Sequence, residues 1–231
     1  MLVLTWNLFH GRAVPEEHRS LRDEFAAALA GWEWDVALLQ EVPPWWPPAL
    51  ASAAGAQHRT ALTSRNALLP LRRLVADRRP DLIKSNGGGS NAILVRGDAR
   101  IAEHRVHVLR RRPERRVVHA VALGTPGIWI ANLHAQVWSE EQAQADIAEA
   151  ARVALGWAGD APLVLGGDLN VREPIASALT PAGGHGVDHV LARGLVPAGR
   201  VATPDRGALS DHAPVLVDLR QDPAFREDPA A

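Results

Sequence analysis

The chain contains no cysteine among its 231 residues, which excludes disulfides, thiolate nucleophiles and thiolate metal sites. This absence does not identify a cellular compartment. Tyrosine is absent as well, and Lys84 is the only lysine, so arginine supplies almost all of the positive charge. Alanine is also abundant, which indicates a compositional bias of the genome rather than a functional need for arginine.

The sequence also lacks the features that direct a chain to a membrane. No segment is long and apolar enough to span a bilayer. The first residues lack the basic region and the cleavage site of a signal peptide. The formal net charge of -1 gives no overall attraction to nucleic acid or anionic lipid. We therefore expect a cytoplasmic monomer with no stable membrane insertion.

Apolar sequence is present in sufficient amount for a large core. Hydrophobic residues make up 47% of the chain, and its length suits one sizeable domain. No linker, repeat or low-complexity segment interrupts it. We predict a single domain over residues 1–222 and a polar tail over residues 223–231.

Hydrophobic periodicity predicts strands alternating with helices. The first strand is apolar on both faces and should be central in its sheet. Ser139, followed three residues later by Gln142, predicts a helix N-terminus. Strands are predicted over residues 1–7, 35–41, 91–96, 100–109, 116–123, 127–133, 161–165, 187–191, 195–202 and 215–219. Helices are predicted over residues 15–30, 46–54, 64–79 and 139–155, and a flexible loop over residues 85–90.

One stretch, residues 166–170, combines two glycines with a carboxylate and a carboxamide. The glycines allow a tight turn or a close approach to a ligand. Asp168 and Asn170 are two residues apart, so along an extended backbone they would face one ligand together. The alternative is an ordinary turn closing a strand, because glycine, aspartate and asparagine are also common turn residues.

Other predicted strands also end in an isolated polar residue. Asn7, Glu41 and His134 follow apolar runs, and Asp211 with His212 precedes the last strand. If the last strand is antiparallel to the others, all these groups share one edge. Oxygen donors of this kind suit Mg²⁺ or Mn²⁺, and histidines suit proton transfer or hydrogen bonding to phosphate.

Each of these residues also has a plain structural interpretation, such as a cap, a strand end or a core histidine. His185 and His189 flank Asp188 without the spacing of a zinc site. The arginines of residues 110–116 suit a solvated hairpin, although Arg115 or Arg116 could reach a phosphate. Trp45 and Trp46 suit packing, a stacking surface or a lipid-facing wedge. The remaining histidines are interpreted as surface or packing residues: His10, His18, His58, His104, His107 and His119.

The ordered series of these motifs resembles the endonuclease/exonuclease/phosphatase superfamily. The series runs through Asn7, the segment ending in Glu41, the segment 132–134, the segment 167–170, Asp188 and the segment 210–212. No single motif is specific, but their order over the whole domain is. The resemblance implies a four-layer α/β sandwich of two mostly antiparallel β-sheets flanked by helices.

The resemblance further implies a role for each matching residue. Glu41 resembles the principal metal ligand, helped by Asn7 and Asp211. Asp168 resembles the residue that aligns or deprotonates the attacking water, and Asn170 the one that holds a phosphate oxygen. The phosphate-binding histidine would be His212, oriented by Asp188. His134 resembles the histidine that deoxyribonuclease-I-like and sphingomyelinase-like members use beside the leaving group.

The predicted function is a Mg²⁺- or Mn²⁺-dependent phosphodiesterase, nuclease-like, that acts on a phosphoester such as DNA or RNA. Exonuclease-III-like repair enzymes often have tyrosine where His134 stands and an acid where Phe9 stands, which disfavours a repair enzyme. Alternatives are a phosphatase or phospholipase acting on a lipid or small phosphoester, and a non-catalytic binding protein. Loops around the site, among them Trp45–Trp46 and residues 87–89, would select the substrate.

Overall fold

The structure is a computed structural model that describes residues 1–64, 66, 68–78, 89–124 and 127–225. Its strands are β1 (Leu2–Asn7), β2 (Val36–Val42), β3 (Ala56–Leu62), β4 (Ser90–Arg96), β5 (Ile101–Arg110), β6 (Arg116–Leu123), β7 (Ile128–His134), β8 (Leu163–Asp168), β9 (Thr180–His185), β10 (Asp188–Arg193), β11 (Leu195–Pro197) and β12 (Val215–Gln221). Its helices are α1 (Arg22–Gly31), α2 (Pro47–Ala53), α3 (Leu69–Arg78) and α4 (Glu140–Ala158). None of the described helices is long and apolar enough to cross a membrane.

The described strands form two sheets of six. The first sheet has the order β11-β12-β1-β2-β4-β3, and the second has the order β5-β6-β7-β8-β10-β9. Pairing is antiparallel except between β1 and β2 and between β7 and β8. Strand β1 is central, as its two apolar faces predict, and β12 runs antiparallel to it. The start of β12 therefore lies at the same edge as the ends of β1 and β2.

Three apolar clusters define four layers. Helices α1 and α2 pack on the outer face of the first sheet, where Phe25 of α1 and Leu50 of α2 share a cluster with Trp6 of β1. Helix α4 packs on the outer face of the second sheet through Ile147 and its neighbours. Between the sheets lies a third cluster that includes Leu38 and Ile130. The predicted four-layer sandwich is confirmed, with helices outside and sheet packed on sheet between them.

The layer between the sheets becomes polar toward one end of the strands. Gln40 Nε2 donates to Asn132 Oδ1 at 2.8 Å and contacts Thr5 Oγ1 at 3.2 Å. Asn132 Nδ2 in turn donates to the backbone carbonyls of Leu39 and Ala92, both at 3.0 Å. Because buried polar groups need such partners, this network ties the two sheets together below the strand ends that carry the predicted site.

Several boundaries differ from the sequence prediction. Helix α1 begins at Arg22 rather than near residue 15, and Gly31 is its last residue rather than a stop beyond it. The strand predicted over 195–202 is only Leu195–Pro197. Strands β3 and β9 were not predicted. The predicted helix over 64–79 is α3, which begins at Leu69. Most of the predicted loop over 85–90 lies outside the described residues, as do residues 226–231 of the predicted tail.

The two glycines before Asp168 do not form a turn, contrary to one interpretation of the sequence. Both lie inside β8, which ends at Asp168. A Cβ on Gly167, whose φ is +145°, would come within 1.8 Å of the Leu133 carbonyl oxygen. A Cβ on Gly166 would meet the Leu38 side chain at 2.8 Å. The glycines therefore permit close approach of a neighbouring strand and of the opposite sheet.

Candidate active site

A cavity of about 330 Å³ opens at the edge where the predicted site residues gather. It lies at the ends of β1, β2, β7 and β8 and beside the start of β6. The residues that line it are Asn7, Phe9, His10, Arg12, Glu41, Thr63, Ser64, Gly89, Glu114, Arg116, His134, Val137, Asp168, Asn170, Asp211 and His212. Polar and charged side chains dominate this wall, which suits a charged ligand.

Strained backbone is concentrated around this cavity. Positive φ angles occur at Phe9, His10, Glu41, Asn170 and Ser210. At Glu41 the cause is visible, because the β2–β4 register shifts between Leu39 and Val42. Such a bulge re-aims a side chain out of the alternating pattern of the strand. Strain of this kind, of roughly 1–3 kcal/mol per residue, persists where surrounding contacts enforce it and is typical of functional sites.

Asp168 is held at the floor of the cavity by two amides. Asn7 Nδ2 donates to Asp168 Oδ2 at 2.8 Å, and the Asn170 backbone N–H donates to Asp168 Oδ1 at 3.2 Å. Burial raises the pKa of Asp168, while the charge of His212 and these hydrogen bonds act in the opposite direction. Asn7 is itself fixed, because its Oδ1 accepts from the Phe9 backbone N–H at 2.9 Å.

Asn170 is held by the segment that follows β7. Its Nδ2 donates to the Ala135 carbonyl at 3.1 Å, which leaves the second amide hydrogen for another acceptor. The residue follows β8 with φ +55°, a conformation that asparagine tolerates better than most residues. Asp168 and Asn170 thus line one cavity, although Asn170 has a left-handed backbone rather than the extended one that the sequence prediction assumed.

Glu41 lies between two histidines on the wall of the cavity. Its Oε2 is 3.2 Å from His10 Nε2, and its Oε1 is 3.9 Å from His134 Nε2. Burial, reinforced by the charge of Asp168, raises the pKa of Glu41 to about 7. Burial and the nearby charge of Arg12 lower the pKa of His10 to about 4. The two neighbours of Glu41 therefore do not neutralise it at neutral pH.

His134 is neutral as well. Burial, the charge of Arg116 and the neighbouring histidines lower its pKa well below the usual value. Its Nε2 is 3.5 Å from Asp168 Oδ2. In this state the imidazole serves as a hydrogen-bond partner rather than as a cation.

His212 carries the opposite charge state. Its Nδ1 hydrogen-bonds Asp188 Oδ2 at 2.7 Å, and its Nε2 lies 3.8 Å from Asp168 Oδ2. Burial opposes a charge on the ring, but the hydrogen bond and the charges of Asp188 and Asp168 outweigh burial and raise the pKa of His212 to about 9. Burial raises the pKa of Asp188 to about 6, against the effect of His212. The pair is therefore an imidazolium and a carboxylate at neutral pH.

Arg116 brings a second fixed cation to the cavity. It is 5% exposed, and its Nη2 donates to Glu114 Oε2 at 2.7 Å, while its buried Nε has no hydrogen-bond partner in the part of the chain that the structure describes. Its charge acts on Glu41 and Asp168. Of the two arginines that the sequence proposed for phosphate contact, Arg116 lines the cavity and Arg115 does not.

The oxygen donors could hold a divalent cation. Glu41, Asp168 and Asp211 bring carboxylates to the cavity, and Asn7 adds an amide oxygen, a donor set that hard cations prefer. Asp168, Asp188 and His212 also place one ligand atom each within 4.8 Å of one another. The hydrogen bond between Asp188 and His212 already occupies two atoms of that second group.

Among the eight residues singled out in the sequence, seven line the cavity and Asp188 contacts it through His212. Sequence interpretation missed His10, which was assigned to surface or packing, and did not single out Arg12 or Glu114.

The sequence also left open a selector role for the two tryptophans. Trp46 is buried beside Phe25, and neither Trp45 nor Trp46 lines the cavity. His189 Nε2 lies 3.0 Å from the Val171 carbonyl, not in a zinc site.

Solved structures with the same fold include endonuclease/exonuclease/phosphatase proteins. One, from Beutenbergia cavernae, has 21% identity and a TM-score of 0.70, covering 96% of this chain and 71% of that chain. A humanized D. rerio TDP2 has 14% identity and a TM-score of 0.69, covering 96% and 99%. Truncated Caenorhabditis elegans TDP2 has 16% identity and a TM-score of 0.62, covering 94% and 96%.

A comparison with curated proteins gives no match. The sequence model of one family, in contrast, matches residues 4–212, which is most of the chain and includes every residue of the candidate site. The chain belongs to the endonuclease/exonuclease/phosphatase family.

Proposed function

We propose that this protein is a divalent-metal-dependent phosphodiesterase with nuclease-like activity. The observation that carries the proposal is the convergence on one cavity of a buried acid, Asp168, a carboxylate wall around Glu41, and a cationic histidine, His212. The first suits activation of water, the second suits a metal ion, and the third suits a phosphate anion.

Asp168 is proposed to align the attacking water and to accept its proton. Asn7 and Asn170 hold its carboxylate in one orientation through hydrogen bonds of 2.8 and 3.2 Å. A fixed base of this kind lowers the entropic cost of bringing water in line with the leaving oxygen. As the water oxygen bonds to phosphorus, the bond to the leaving oxygen breaks.

Glu41 is proposed as the principal metal ligand, with Asp211 and the Asn7 amide oxygen assisting. The pKa of Glu41 is raised first by burial and then by the charge of Asp168, so the ionised carboxylate lacks full compensation in this wall. A divalent cation would supply that compensation and would offset charge developing on the phosphate. His10 and His134 flank Glu41 in their neutral forms, so neither competes as a cation for its carboxylate.

The phosphate oxygens are proposed to lie against His212, Arg116 and the free amide hydrogen of Asn170. His212 is held as an imidazolium by Asp188, so its Nε2 can donate a charge-assisted hydrogen bond. Arg116 is anchored by Glu114 and needs no reorganisation to offer its charge. His134, being neutral, is proposed to hydrogen-bond beside the leaving group.

The proposal is tested by hydrolysis of bis-p-nitrophenyl phosphate. We expect turnover with Mg²⁺ or Mn²⁺, no turnover with excess chelator, and a loss in kcat of about 10²–10⁴-fold for Asp168→Asn. Asp160→Asn, at an exposed position after α4, is the matched control and should retain activity. Undiminished turnover with chelator or in Asp168→Asn would exclude the mechanism. Binding of the diester without turnover would instead indicate a binding protein.

A further inference from the structure

One cation of the cavity wall has no polar partner among the described residues. The guanidinium of Arg12 lines the cavity, yet it makes no hydrogen bond or ion pair with any residue that the structure describes. Its Nη2 is buried and unpaired, and its Cζ lies 5.3 Å from the centre of the Phe9 ring. Partial burial of an unpaired cation costs free energy unless a ligand supplies an anionic or hydrogen-bonding partner.

The position of Arg12 is built into the fold. Its backbone carbonyl accepts from the Ser210 N–H at 2.8 Å, and Ser210 Oγ donates to the Asn7 carbonyl at 2.7 Å. The chain before it is packed tightly, because a Cβ on Gly11 would come within 2.2 Å of the Trp46 ring. The arginine therefore stands on a loop joined to both Asn7 and the segment that leads to His212.

Arg12 and Arg116 differ in the part of the cavity that their charges reach. The charge of Arg116 acts on Glu41, Asp168 and His10, whereas the charge of Arg12 acts on His10. The scissile phosphate already has cationic partners in Arg116 and His212 under the proposed function. Arg12 remains for a further anion, and its planar guanidinium matches the oxygens of a phosphate.

We propose that Arg12 binds a second phosphate of the same substrate, next to the phosphate that is cleaved. This inference rests on the proposed function and narrows its substrate class to nucleotides that carry at least two phosphates. The two phosphates would occupy the cavity together, one facing Asp168 and His212 and the other facing Arg12 on the His10 side.

The test is calorimetric binding of thymidine 3′,5′-bisphosphate and thymidine 5′-phosphate to the full chain. We expect the bisphosphate to bind about tenfold more tightly or better, as a charge-assisted contact provides. Arg12→Ala should remove this preference, and Arg12→Lys should keep part of it, because the charge remains without the planar fork. Arg111→Ala, an exposed arginine outside the cavity, is the matched control and should keep the whole preference.

Equal affinity of the wild type for the two nucleotides, or a preference that survives in Arg12→Ala, would overturn the assignment. Circular dichroism establishes that the variants are folded, and Arg12→Gln replaces Arg12→Ala if alanine prevents folding. The measurement needs no turnover, so it is separate from the test of the proposed function. A bisphosphate preference lost in Arg12→Ala supports the site even if the diester is not hydrolysed.

Discussion

At the scale of single residues, the charge of His212 depends on Asp188. The 2.7 Å hydrogen bond between Nδ1 and the carboxylate holds the ring in one orientation and favours its protonated form. Asp188 is buried, and its Oδ1 has no other partner among the described residues. Its contribution to the cavity therefore passes through the imidazole, which makes Asp188 a positioning residue.

Substitution of the two partners should not be additive. We expect His212→Ala to lower kcat on bis-p-nitrophenyl phosphate by about 10²–10⁴-fold, and Asp188→Asn to lower it by less. The double variant should be no worse than His212→Ala alone, because groups that act as one unit lose their joint effect only once. Multiplied effects in the double variant would show that Asp188 acts independently. Thermal melting of all three variants serves as the control for folding.

Residues that follow an apolar strand could be found from sequence, because an isolated polar group at a buried strand end needs a partner. Asn7, Glu41 and Asp168 belong to this group. His10 and Arg12 could not be found in this way. They lie in a short turn with positive φ angles at Phe9 and His10, and hydrophobic periodicity contains no information about such backbone.

At the scale of elements, β8 depends on Gly167 for its parallel pairing with β7. Any side chain there would overlap the Leu133 backbone, which cannot move without disturbing the strand that carries His134. The two strands together present Asp168 and His134 to the cavity. A glycine at this position is therefore a condition for the geometry of the site.

Gly167→Ala should lower the free energy of unfolding by about 3 kcal/mol or more, since it combines a backbone clash with an unfavourable φ. The matched control is Gly156→Ala in the last turn of α4, where a Cβ would meet no atom within 4 Å. That substitution should raise the free energy of unfolding by roughly 0.5–1 kcal/mol, through helix propensity. Urea denaturation measures both. An unchanged midpoint for Gly167→Ala would contradict the steric argument.

The elements that sequence failed to predict are edge strands. Strands β3 and β9 lie at the edges of their sheets, and β9 contains proline and two glycines. Such strands are held by hydrogen bonds to one neighbour rather than by an apolar pattern of their own. Central strands such as β1 and β7 could be predicted because burial on both faces leaves a continuous apolar run.

At the scale of the whole molecule, the space between the sheets is graded from apolar to charged. Leu38 and Ile130 fill its middle, Gln40 and Asn132 follow, and Asp168 with Glu41 line the open end. Sequence alone could place these residues on strands but not on facing sheets. Their placement on facing sheets depends on the antiparallel pairing of β12 with β1 and on the order of the strands in each sheet. Both arise from contacts between segments that are distant in the sequence. That residues 1–222 form a single domain stays a prediction.

The same buried layer contains a histidine that should contribute to the loss of stability in acid. His119 is fully buried, its Nε2 has no partner among the described residues, and its Nδ1 lies 3.3 Å from His104 Nε2. Burial, then the neighbouring His104, lowers the pKa of His119 to about 3. The charge of Arg59, from β3, acts on His104 in the same direction.

Below its ordinary pKa of 6.5, His119 binds a proton in the unfolded chain but not in the folded one. The free energy of unfolding should therefore fall as the pH drops from about 6.5 toward about 3, by up to about 1.4 kcal/mol per pH unit from this residue. His119→Gln cannot take up the proton, so its stability should fall less steeply over this range, whatever its stability at pH 7. His18→Gln, at an exposed position, should follow the wild type. Parallel curves for wild type and His119→Gln in urea denaturation would mean that His119 is not a source of acid lability.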